Sequence, residues 1–338
     1  MVRSSALLIC LLVACSGPPD PSPAADALAG TDAAPRAKFQ HCTGRPYTLA
    51  PGEAWRHDIL TPITTAAGAP NHSGKDIIAA PGTASDAPGK FSYGLISKDL
   101  EDEDVLVFLD DCSGWVSLGR FTTNDDGRIS APTPALPVGV YEVRYQVAGD
   151  QSTTVSFLWV LPAGTHVVVT DIDATLTTND SEVFQQILDG SYIPQTYPNA
   201  VALTKAHAAR GDVVIYLTGR PYWLSRQTRG YLAELGFAPG PLRVTDSTSD
   251  ILPTEGSVGT YKLTNLKAFL AAGLVIDVAY GNATTDIFAY LGAGIPADRV
   301  WIIGPHAGEQ GTHAITGDWA PRVAEVGALP VVAQPFDW

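Results

Sequence analysis

The second half of the chain, from His166 onward, alternates between apolar runs and helix-like segments. Of all the features of the sequence, this alternation restricts the possible folds most strongly. Four runs are short and rich in β-branched residues, as buried strands are: VVVT, DVVIYLT, LVIDVAYG and RVWIIGP. The helix-like segments are SEVFQQIL, with Asp180 or Ser181 as its N-cap, NAVALTKAHAAR, SRQTRGYLAELGF, TYKLTNLKAFLAAG and TTDIFAYLGAG. Strands that alternate with helices favour an α/β fold with a doubly wound parallel sheet, of the Rossmann type.

The preceding segment, residues 38–163, is predicted to be an all-β immunoglobulin-like sandwich. Strand-like runs recur between clusters of Gly, Pro, Asn and Asp: KFSYGLI, DVLVFLD, WVSLGRFTT, GVYEVRYQV and TTVSFLWVL. In GVYEVRYQV, the residues Tyr141, Val143, Tyr145 and Val147 alternate with the others, which predicts one buried face. The sequence NDDG between two of the runs predicts a hairpin-type turn.

The amino-terminal segment has the composition of an export signal followed by a tether. Arg3 precedes an apolar run, Ala6–Ala14, that is too short to span a bilayer as a permanent helix. The next residue, Cys15, stands where the bacterial lipobox has its lipidated cysteine. Residues 1–15 are therefore predicted to be a lipoprotein-type signal peptide, with an ordinary secretory signal as the alternative. The Pro-, Ala-, Ser- and Asp-rich residues 16–37 are predicted to be a flexible linker.

These features predict an exported protein in the periplasm or at the outer membrane, held to the membrane by its lipid anchor. The chain has four cysteines. Cys10 lies inside the signal and Cys15 is the lipidation site, so Cys42 and Cys112 remain. An even pair in an oxidising compartment favours one disulfide, with two free thiols as the alternative.

The charge of the chain restricts its partners. The formal net charge is −14 and the pI is about 4.7. Because no basic stripe is available to follow a phosphate backbone, nucleic acid is not an expected partner. An anionic substrate would need a metal ion or a local Lys/Arg pocket to offset this field.

Polar residues follow successive strands of the predicted sheet. They are Asp171, Asp173 and Thr175, then Thr218, Gly219 and Arg220, then Lys262 at the opening of the next helix, then Asn282 and Asp286. Two carboxylates so close to the end of an apolar run repel each other unless a metal ion or a reacting phosphate lies between them. Because parallel sheets bind ligands at the carboxyl ends of their strands, these residues predict a site at that edge.

The order of these motifs resembles a known family. DIDATLT, YLTGRP, the Lys of YKLTNLKAFL and YGNATTD resemble the four motifs of the haloacid-dehalogenase-like phosphohydrolases. More narrowly, residues 155–305 resemble the LNS2 domain shared by lipins, which are phosphatidate phosphatases, and by membrane-associated phosphatidylinositol transfer proteins. TDIDATLTTND is similar to the lipin-type first motif, and YGNATTDIFAYLGAGIPADRVWIIGP to the closing segment. The resemblance implies that residues 164–338 form a haloacid-dehalogenase-like phosphatase domain.

The resemblance and the chemistry of phosphoryl transfer imply a role for each residue. Asp171 is the candidate nucleophile and would form an aspartyl-phosphate. Asp173, on the same side of an extended chain, would protonate the leaving alkoxide and later activate water. Thr218 and the Gly219 amide would bind phosphate oxygens, and Lys262 would neutralise the developing charge.

Magnesium is the implied cofactor. Its ligands would be Asp171, the backbone carbonyl of Asp173, and Asp286, because magnesium prefers hard oxygen donors together with substrate oxygens. Asn282 is expected to orient Asp286 or the phosphate, and Thr175 is expected to brace the loop.

The implied substrate is phosphatidate, another lipid phosphate or a small phosphate ester. The segment between the first two motifs is too short for a large cap domain, which leaves an open site. Ala174 stands where lipins usually have Gly. The resemblance to the transfer proteins also implies an alternative, a non-catalytic phosphatidate-binding module. The reactive residue types of all four motifs are present, which favours catalysis.

Other interpretations compete at single motifs. Residues 171–182 align with an EF-hand calcium loop, but Leu176 stands where that loop needs Gly and a strand precedes it. The acidic residues 99–104 could bind calcium, although a solvated loop is favoured. Arg220 is expected either to bind phosphate or to pair with a carboxylate.

Overall fold

A computed structural model describes residues 39–94, 98–182, 185, 192–246 and 255–335. The predicted signal peptide and linker, with Cys15, lie outside the described residues, as does most of the helix predicted at SEVFQQIL. The described residues belong to one compact unit that begins at Lys38. None of the helices in the described ranges is both long enough and apolar enough to cross a membrane.

The first part of this unit is a β-sandwich. Its elements are β1 (Gln40–Cys42), α1 (Leu60–Thr65), β2 (Ser73–Gly74), β3 (Ile77–Ala79), β4 (Ser85–Lys90), β5 (Ser92–Tyr93), β6 (Lys98–Asp99), β7 (Asp104–Asp110), β8 (Trp115–Thr122), β9 (Arg128–Thr133), β10 (Gly139–Val147) and β11 (Thr153–Val160). One sheet has the order β3-β11-β10-β7-β8, with β1 paired to β10. The second sheet is β2-β4-β9, and β5 pairs with β6.

The alternation predicted for β10 is present, but both faces of this strand are buried. Tyr141 belongs to the apolar core of the sandwich. On the opposite face, Val140 packs against the second domain, and Gln146 accepts hydrogen bonds from the Tyr47 hydroxyl and the Ala50 amide. The prediction of a single buried face was therefore wrong, because a domain contact and a loop cover the more polar side.

The turn predicted at NDDG exists, but it is not a hairpin between neighbouring strands. The amide of Gly127 donates to the carbonyl of Asn124 over 2.8 Å, and Gly127 has a φ of 63°, in the left-handed region. However, β8 pairs with β7, whereas β9 pairs with β4. The turn thus carries the chain from one sheet to the other.

A disulfide joins Cys42 at the end of β1 to Cys112 after β7, with their Cα atoms 4.6 Å apart. It closes a sequence separation of 70 residues. Both cysteines adjoin strands of the same sheet, so the bridge ties β1 to the chain that follows β7, and Cys42 itself is buried in the core.

The second part is an α/β domain. Its elements are β12 (His166–Thr170), α2 (Ala200–Arg210), β13 (Val213–Pro221), α3 (Ser225–Glu234), β14 (Leu242–Thr245), α4 (Glu255–Ala271), β15 (Val275–Gly281), α5 (Thr284–Gly292), β16 (Val300–Ile303), β17 (His313–Ile315) and α6 (Ala320–Gly327). The sheet has the order β14-β13-β12-β15-β16-β17, and each neighbouring pair is parallel. From β12 the strand order proceeds in both directions, so the carboxyl end of β12 lies where the order reverses.

Two apolar layers cover the faces of this sheet. Because successive side chains of a strand point to opposite faces, Val167 and Val169 join one cluster and Val168 joins the other. The first cluster takes residues from α4 and α5, and the second takes residues from α2, α3 and α6. Trp159 and Leu161 of the sandwich segment also belong to the first cluster, so the two domains share a core.

Candidate active site

The carboxyl ends of β12, β13 and β15 bring the predicted site residues together. Asp171 directly follows β12, Thr218 lies near the end of β13, and Asp286 lies in the first turn of α5, after β15. Lys262 reaches this edge from α4. The sequence predicted Lys262 at the opening of this helix. The helix begins at Glu255, so Lys262 lies in its interior and the prediction was wrong on this point. Asp171, Thr218, Lys262 and Asp286 are all buried.

Lys262 links the first and the last motif. Its ammonium group donates to Asp171 Oδ1 and to Asp286 Oδ1, each over 2.7 Å. The two ion pairs favour the charged ammonium and raise the pKa of Lys262 further above its usual value, against the opposing effect of burial. Lys262 is thus the cation between the two carboxylates predicted to be metal ligands.

Asp286 is oriented by the start of α5. Its Oδ2 accepts hydrogen bonds from the amides of Asn282 and Ala283, over 3.0 and 3.1 Å. These amides precede the helix, where backbone donors lack partners within the helix and favour negative charge. The predicted orienting role of Asn282 is thus carried in this structure by its backbone amide.

Asp173 is held by the second motif. Arg220 donates to its two carboxylate oxygens through Nε and a terminal nitrogen, the shortest contact being 2.8 Å. Thr218 Oγ1 donates to the same carboxylate over 3.2 Å and accepts from the Arg220 amide. Of the two alternatives for Arg220, the structure therefore has the carboxylate pair, and the Thr218 hydroxyl predicted to bind phosphate is engaged by protein atoms.

The guanidinium of Arg220 is fixed from two further sides. It donates to Thr228 Oγ1 over 3.0 Å and lies 5.2 Å from the centre of the Tyr231 ring. Arg220 is 2% exposed. Gly219, next to it, leaves room for Val258, which would lie 3.1 Å from a Cβ at that position. The second motif is thus packed against both α3 and α4.

The charges of this cluster do not balance. Three carboxylates (Asp171, Asp173 and Asp286) and two cations (Lys262 and Arg220) leave a formal charge of −1. An uncompensated buried charge is costly, so the cluster favours an added cation or a proton. Carboxylate and carbonyl oxygens are the donors that magnesium prefers, so the predicted ligand set fits this ion.

The predicted magnesium ligands are two side chains and one carbonyl. In the ranges that the structure describes, no group of three or more His, Cys, Asp or Glu side chains is arranged to hold a metal ion. The ion would therefore have to take its remaining ligands from the Asp173 carbonyl, from substrate and from water, as magnesium commonly does.

The proton affinity of Asp171 reflects the same imbalance. Burial raises its pKa to about 7, and the charges of Asp286 and Asp173 act in the same direction, whereas Lys262 opposes them. At neutral pH, a proton and a metal ion therefore compete for this carboxylate.

The raised pKa of Asp171 predicts a pH dependence of stability. At this carboxyl the native state binds more protons than the unfolded chain between pH 4 and 7, so the contribution of Asp171 to the free energy of unfolding falls as pH rises through this window. We expect this contribution to lower it by at least about 2 kcal/mol without magnesium. Urea unfolding in EDTA at several pH values measures it. The variant Asp171→Asn should lack this contribution, so the free energy of unfolding should fall more, or rise less, with pH in the wild type than in the variant. Equal slopes in both proteins would contradict the prediction.

The loop after Asp171 is tied back to the carbonyl of Ile172. This carbonyl accepts from the amides of Thr175, Leu176 and Thr177. Thr175 Oγ1 lies 3.2 Å from Asp171 Oδ2 and 3.0 Å from Asn282 Oδ1, so it braces the loop against the fourth motif. These contacts agree with the prediction that Thr175 braces the loop.

Ala174 has a φ of 50°, in the left-handed region that favours glycine. The backbone at Ala174, where lipins usually have Gly, is therefore strained. We expect Ala174→Gly to raise the free energy of unfolding by about 1 kcal/mol, because relief of strain exceeds the added entropy of the unfolded chain. Urea unfolding tests this, with Ala272→Gly, after the end of α4, as the matched control. A less stable Ala174→Gly protein would contradict it.

Two residues near the site were not predicted to belong to it. The indole Nε1 of Trp319 donates to the carbonyl of Thr175 over 3.0 Å, from 144 residues away. Partial burial and the nearby charge of Asp173 raise the pKa of Asp180, the first carboxylate after the first motif. Neither residue belongs to a recognisable motif. Only Asp180 could have been suspected from its position, because it follows Asp171 and Asp173 closely in the sequence.

The calcium alternatives do not match the structure. The EF-hand alignment requires Glu182 to point at the ion, but its carboxylate accepts from the Tyr192 hydroxyl and the Gln195 amide, and a strand precedes the loop. In the acidic segment, Asp99 pairs with Lys90, and Asp104 pairs with Arg120. Its Glu103 is buried and accepts from backbone amides of residues 56 and 57.

Comparisons with known proteins agree with the two-part architecture. Residues 70–160 match the family model described as the β-sandwich domain of PITM 1-3, and residues 168–304 match the model described as the LNS2 domain of PITM 1-3. Together the two models cover more than half of the chain.

Several curated relatives are named as membrane-associated phosphatidylinositol transfer proteins. The chain is 32% identical over 241 residues to membrane-associated phosphatidylinositol transfer protein 3 of Mus musculus, with 69% of this chain and 23% of that protein covered. It is 27% identical to protein 1 of Rattus norvegicus (79% and 23% covered) and 30% identical to the protein retinal degeneration B of Drosophila melanogaster (70% and 18%). The chain thus spans less than a quarter of the length of these relatives.

Proposed function

The chain belongs to the family that has the β-sandwich and LNS2 domains of the membrane-associated phosphatidylinositol transfer proteins, and from this premise we propose that it is a magnesium-dependent phosphatase acting on a lipid phosphate monoester such as phosphatidate. In this proposal the α/β domain has the haloacid-dehalogenase-like fold, with its reversal of strand order at β12. Ligands of open α/β sheets bind at such a reversal.

One observation carries the proposal. Asp171 and Asp286 lie on either side of the Lys262 ammonium, in a buried cluster with a formal charge of −1. This charge repels a phosphate, so binding of one requires a cation first. A divalent cation would turn the charge of the cluster from −1 to +1 with Asp173 ionised, and to +2 with Asp173 protonated as a general acid; either charge attracts a phosphate dianion. The cluster is thus suited to a phosphate that arrives with magnesium.

Magnesium, held by Asp171, Asp286 and the Asp173 carbonyl, would neutralise the phosphoryl oxygens and the charge that develops on them. Lys262 contributes a second positive charge at the same place, because its ammonium is fixed by two carboxylates and needs no rearrangement during the reaction.

In the first step, a carboxylate oxygen of Asp171 attacks phosphorus opposite the ester oxygen. The bond from Asp171 to phosphorus forms while the bond from phosphorus to the ester oxygen breaks. Asp173 gives its proton to the leaving alkoxide, which departs as the alcohol. Thr175, 3.2 Å from Asp171 Oδ2, fixes the orientation of the attacking carboxylate.

In the second step, water attacks the phosphorus of the aspartyl-phosphate. Asp173 takes one proton from this water, and the bond from Asp171 to phosphorus breaks. Inorganic phosphate leaves, Asp171 is a carboxylate again, and Asp173 is protonated for the next cycle.

The proposal is tested by phosphate release. The full chain is incubated with phosphatidate in mixed micelles and, separately, with p-nitrophenyl phosphate, in magnesium and in EDTA. We expect release that depends on magnesium and is faster from the lipid. Release that persists in EDTA would contradict the role of magnesium, and a preference for the small ester would contradict the lipid substrate.

A second candidate, a non-catalytic phosphatidate-binding module, is favoured by the surroundings of Asp173. Protonation of Asp173 costs its charge-assisted pair with Arg220, in which three hydrogen bonds are donated to one carboxylate. The relatives are also named as transfer proteins. This candidate predicts saturable binding of phosphatidate and no phosphate release at any magnesium concentration.

We also propose that the chain is exported and attached to a membrane through lipidated Cys15. The lipobox-like segment Leu12–Cys15 supports this. Expression of the wild type and of Cys15→Ser, followed by separation of membranes from soluble protein, tests it. Equal membrane attachment of both proteins would contradict the anchor.

A further inference from the structure

A cavity of about 490 Å³ lies between the sandwich and the α/β domain. Its walls come from both parts: Phe157 and Trp159 of β11, Leu232 and Ala233 of α3, and Phe237 in the segment after α3. The cavity lies along α3, away from the carboxylates of the candidate active site. None of the residues placed in the proposed catalytic machinery lines it.

The apolar wall on the sandwich side is unusual for the outer face of a β-sheet. Along β11, Leu158 and Val160 point into the sandwich core, so Phe157 and Trp159 point the other way. Outer faces of antiparallel sheets are usually polar where they meet water. Trp159 is largely covered by the second domain, whereas the space beside Phe157 remains as part of the cavity.

The opposite wall is held in place by a close backbone contact. A Cβ at Gly240 would lie 1.8 Å from the carbonyl oxygen of Val214, so only glycine fits there. The Tyr216 hydroxyl also donates to the carbonyl of Ala238 over 2.6 Å. The segment after α3 is therefore fixed against β13. Concave, mostly apolar spaces of this size between two domains are where small molecules commonly bind.

The guanidinium of Arg229 lies at the cavity. Arg229 has a side chain that is 24% exposed, and its guanidinium lies 4.9 Å from the centre of the Phe157 ring. Two of its five N–H donors go to the buried carboxylate of Asp76. Asp76 also accepts from the amides of Phe157 and Leu242, so its charge is well satisfied and Arg229 keeps donors for a further acceptor.

We propose that this cavity binds the hydrocarbon chain of a single-chain amphiphile with an acidic head group, such as a long-chain fatty acid, whose head group lies at Arg229. A methylene group takes up about as much volume as a water molecule, roughly 30 Å³, so the cavity holds a chain of about 16 carbons. This site is separate from the phosphate site and does not depend on the phosphatase activity.

The volume of the cavity predicts a dependence on chain length. Saturated fatty acids from octanoate to eicosanoate, below their micelle concentrations, are used to displace the fluorescent probe N-phenyl-1-naphthylamine from the full chain. We expect the affinity to tighten about fourfold per methylene up to about 16 carbons and then to level off. A primary alcohol of equal length should bind more weakly. Affinities that do not change with length, or no displacement, would overturn the proposal.

Variants on both rims of the cavity separate specific binding from a general affinity for apolar ligands. Ala233→Trp on α3 and Thr43→Trp on the sandwich side place a large side chain at exposed positions that line the cavity. Each should weaken binding of palmitate at least tenfold. Glu234→Trp, the adjacent exposed residue of α3, and Asp171→Asn at the phosphate site should bind as the wild type does. Unchanged binding by both rim variants would overturn the site, whatever the outcome of the phosphatase assay.

Discussion

Asp171→Asn is expected to lower phosphate release from phosphatidate at least about 1,000-fold, because the amide cannot attack phosphorus or bind the cation as a carboxylate does. The fold should be retained. Lys262 keeps Asp286 as its partner, and the formal charge of the cluster changes from −1 to zero. Initial rates in saturating magnesium measure the loss, and circular dichroism checks the fold.

The matched control is Asp125→Asn, the same chemical change in an exposed turn of the sandwich. It should retain the wild-type rate. A rate for Asp171→Asn within tenfold of the wild type would contradict the nucleophile, and an equal loss in Asp125→Asn would show that the assay reports stability and not chemistry.

Lys262→Met is expected to have the largest effect on stability, a loss of about 4 kcal/mol in the free energy of unfolding. Methionine has a similar length but no charge, so Asp171 and Asp286 remain buried side by side without a cation. Urea unfolding in EDTA at pH 8 measures the loss. Saturating magnesium should restore part of it, because an ion that binds only the native state stabilises that state.

Two further variants separate the charge effect from helix packing. Lys267→Met, an exposed position on the same helix, should change the free energy of unfolding by less than about 0.5 kcal/mol. The double variant of Lys262→Met with Asp171→Asn should recover stability relative to Lys262→Met alone, because one carboxylate instead of two is left unpaired. No recovery in the double variant would contradict the account of the cluster as a balance of charges.

Much of the α/β domain follows from local patterns in the sequence. The runs VVVT and LVIDVAYG form β12 and β15, and four of the five segments predicted as helices form α2 to α5. The fifth, SEVFQQIL, lies mostly outside the described residues. These elements bury apolar residues at the expected periods, so the sequence marks them without tertiary information. The strands β14 and β17 escaped prediction because LRVT and HAI are short and each contains a polar or charged residue, so neither forms the continuous apolar run that marks β16.

The residues predicted to lie together at the strand ends do so, but the pairs that they form were not predicted. Asp171, Thr218, Lys262 and Asp286 meet at one edge because parallel strands end there. The pair of Arg220 with Asp173 depends on where α3 packs, and the bond from Trp319 joins parts of the chain 144 residues apart. Such contacts depend on packing, which no local pattern encodes.

The sandwich was harder to predict, since its strands belong to two sheets. The turn at residues 124–127 has the sequence of a hairpin, yet the strands on either side of it pair elsewhere. Burial of Val140 and Gln146 comes from the second domain and from a loop. Turn chemistry fixes the local reversal of the chain, whereas the choice of pairing partner is set by the whole sandwich.

The most direct test of the central claim is to trap the aspartyl-phosphate. The full chain is mixed with phosphatidate and magnesium, quenched in acid during turnover and treated with borohydride, which reduces an acyl phosphate to the alcohol. Peptide mass spectrometry should then find homoserine in place of Asp171, and unchanged Asp173 and Asp286. Phosphate release with no modification at Asp171, or with modification at another carboxylate, would contradict the account.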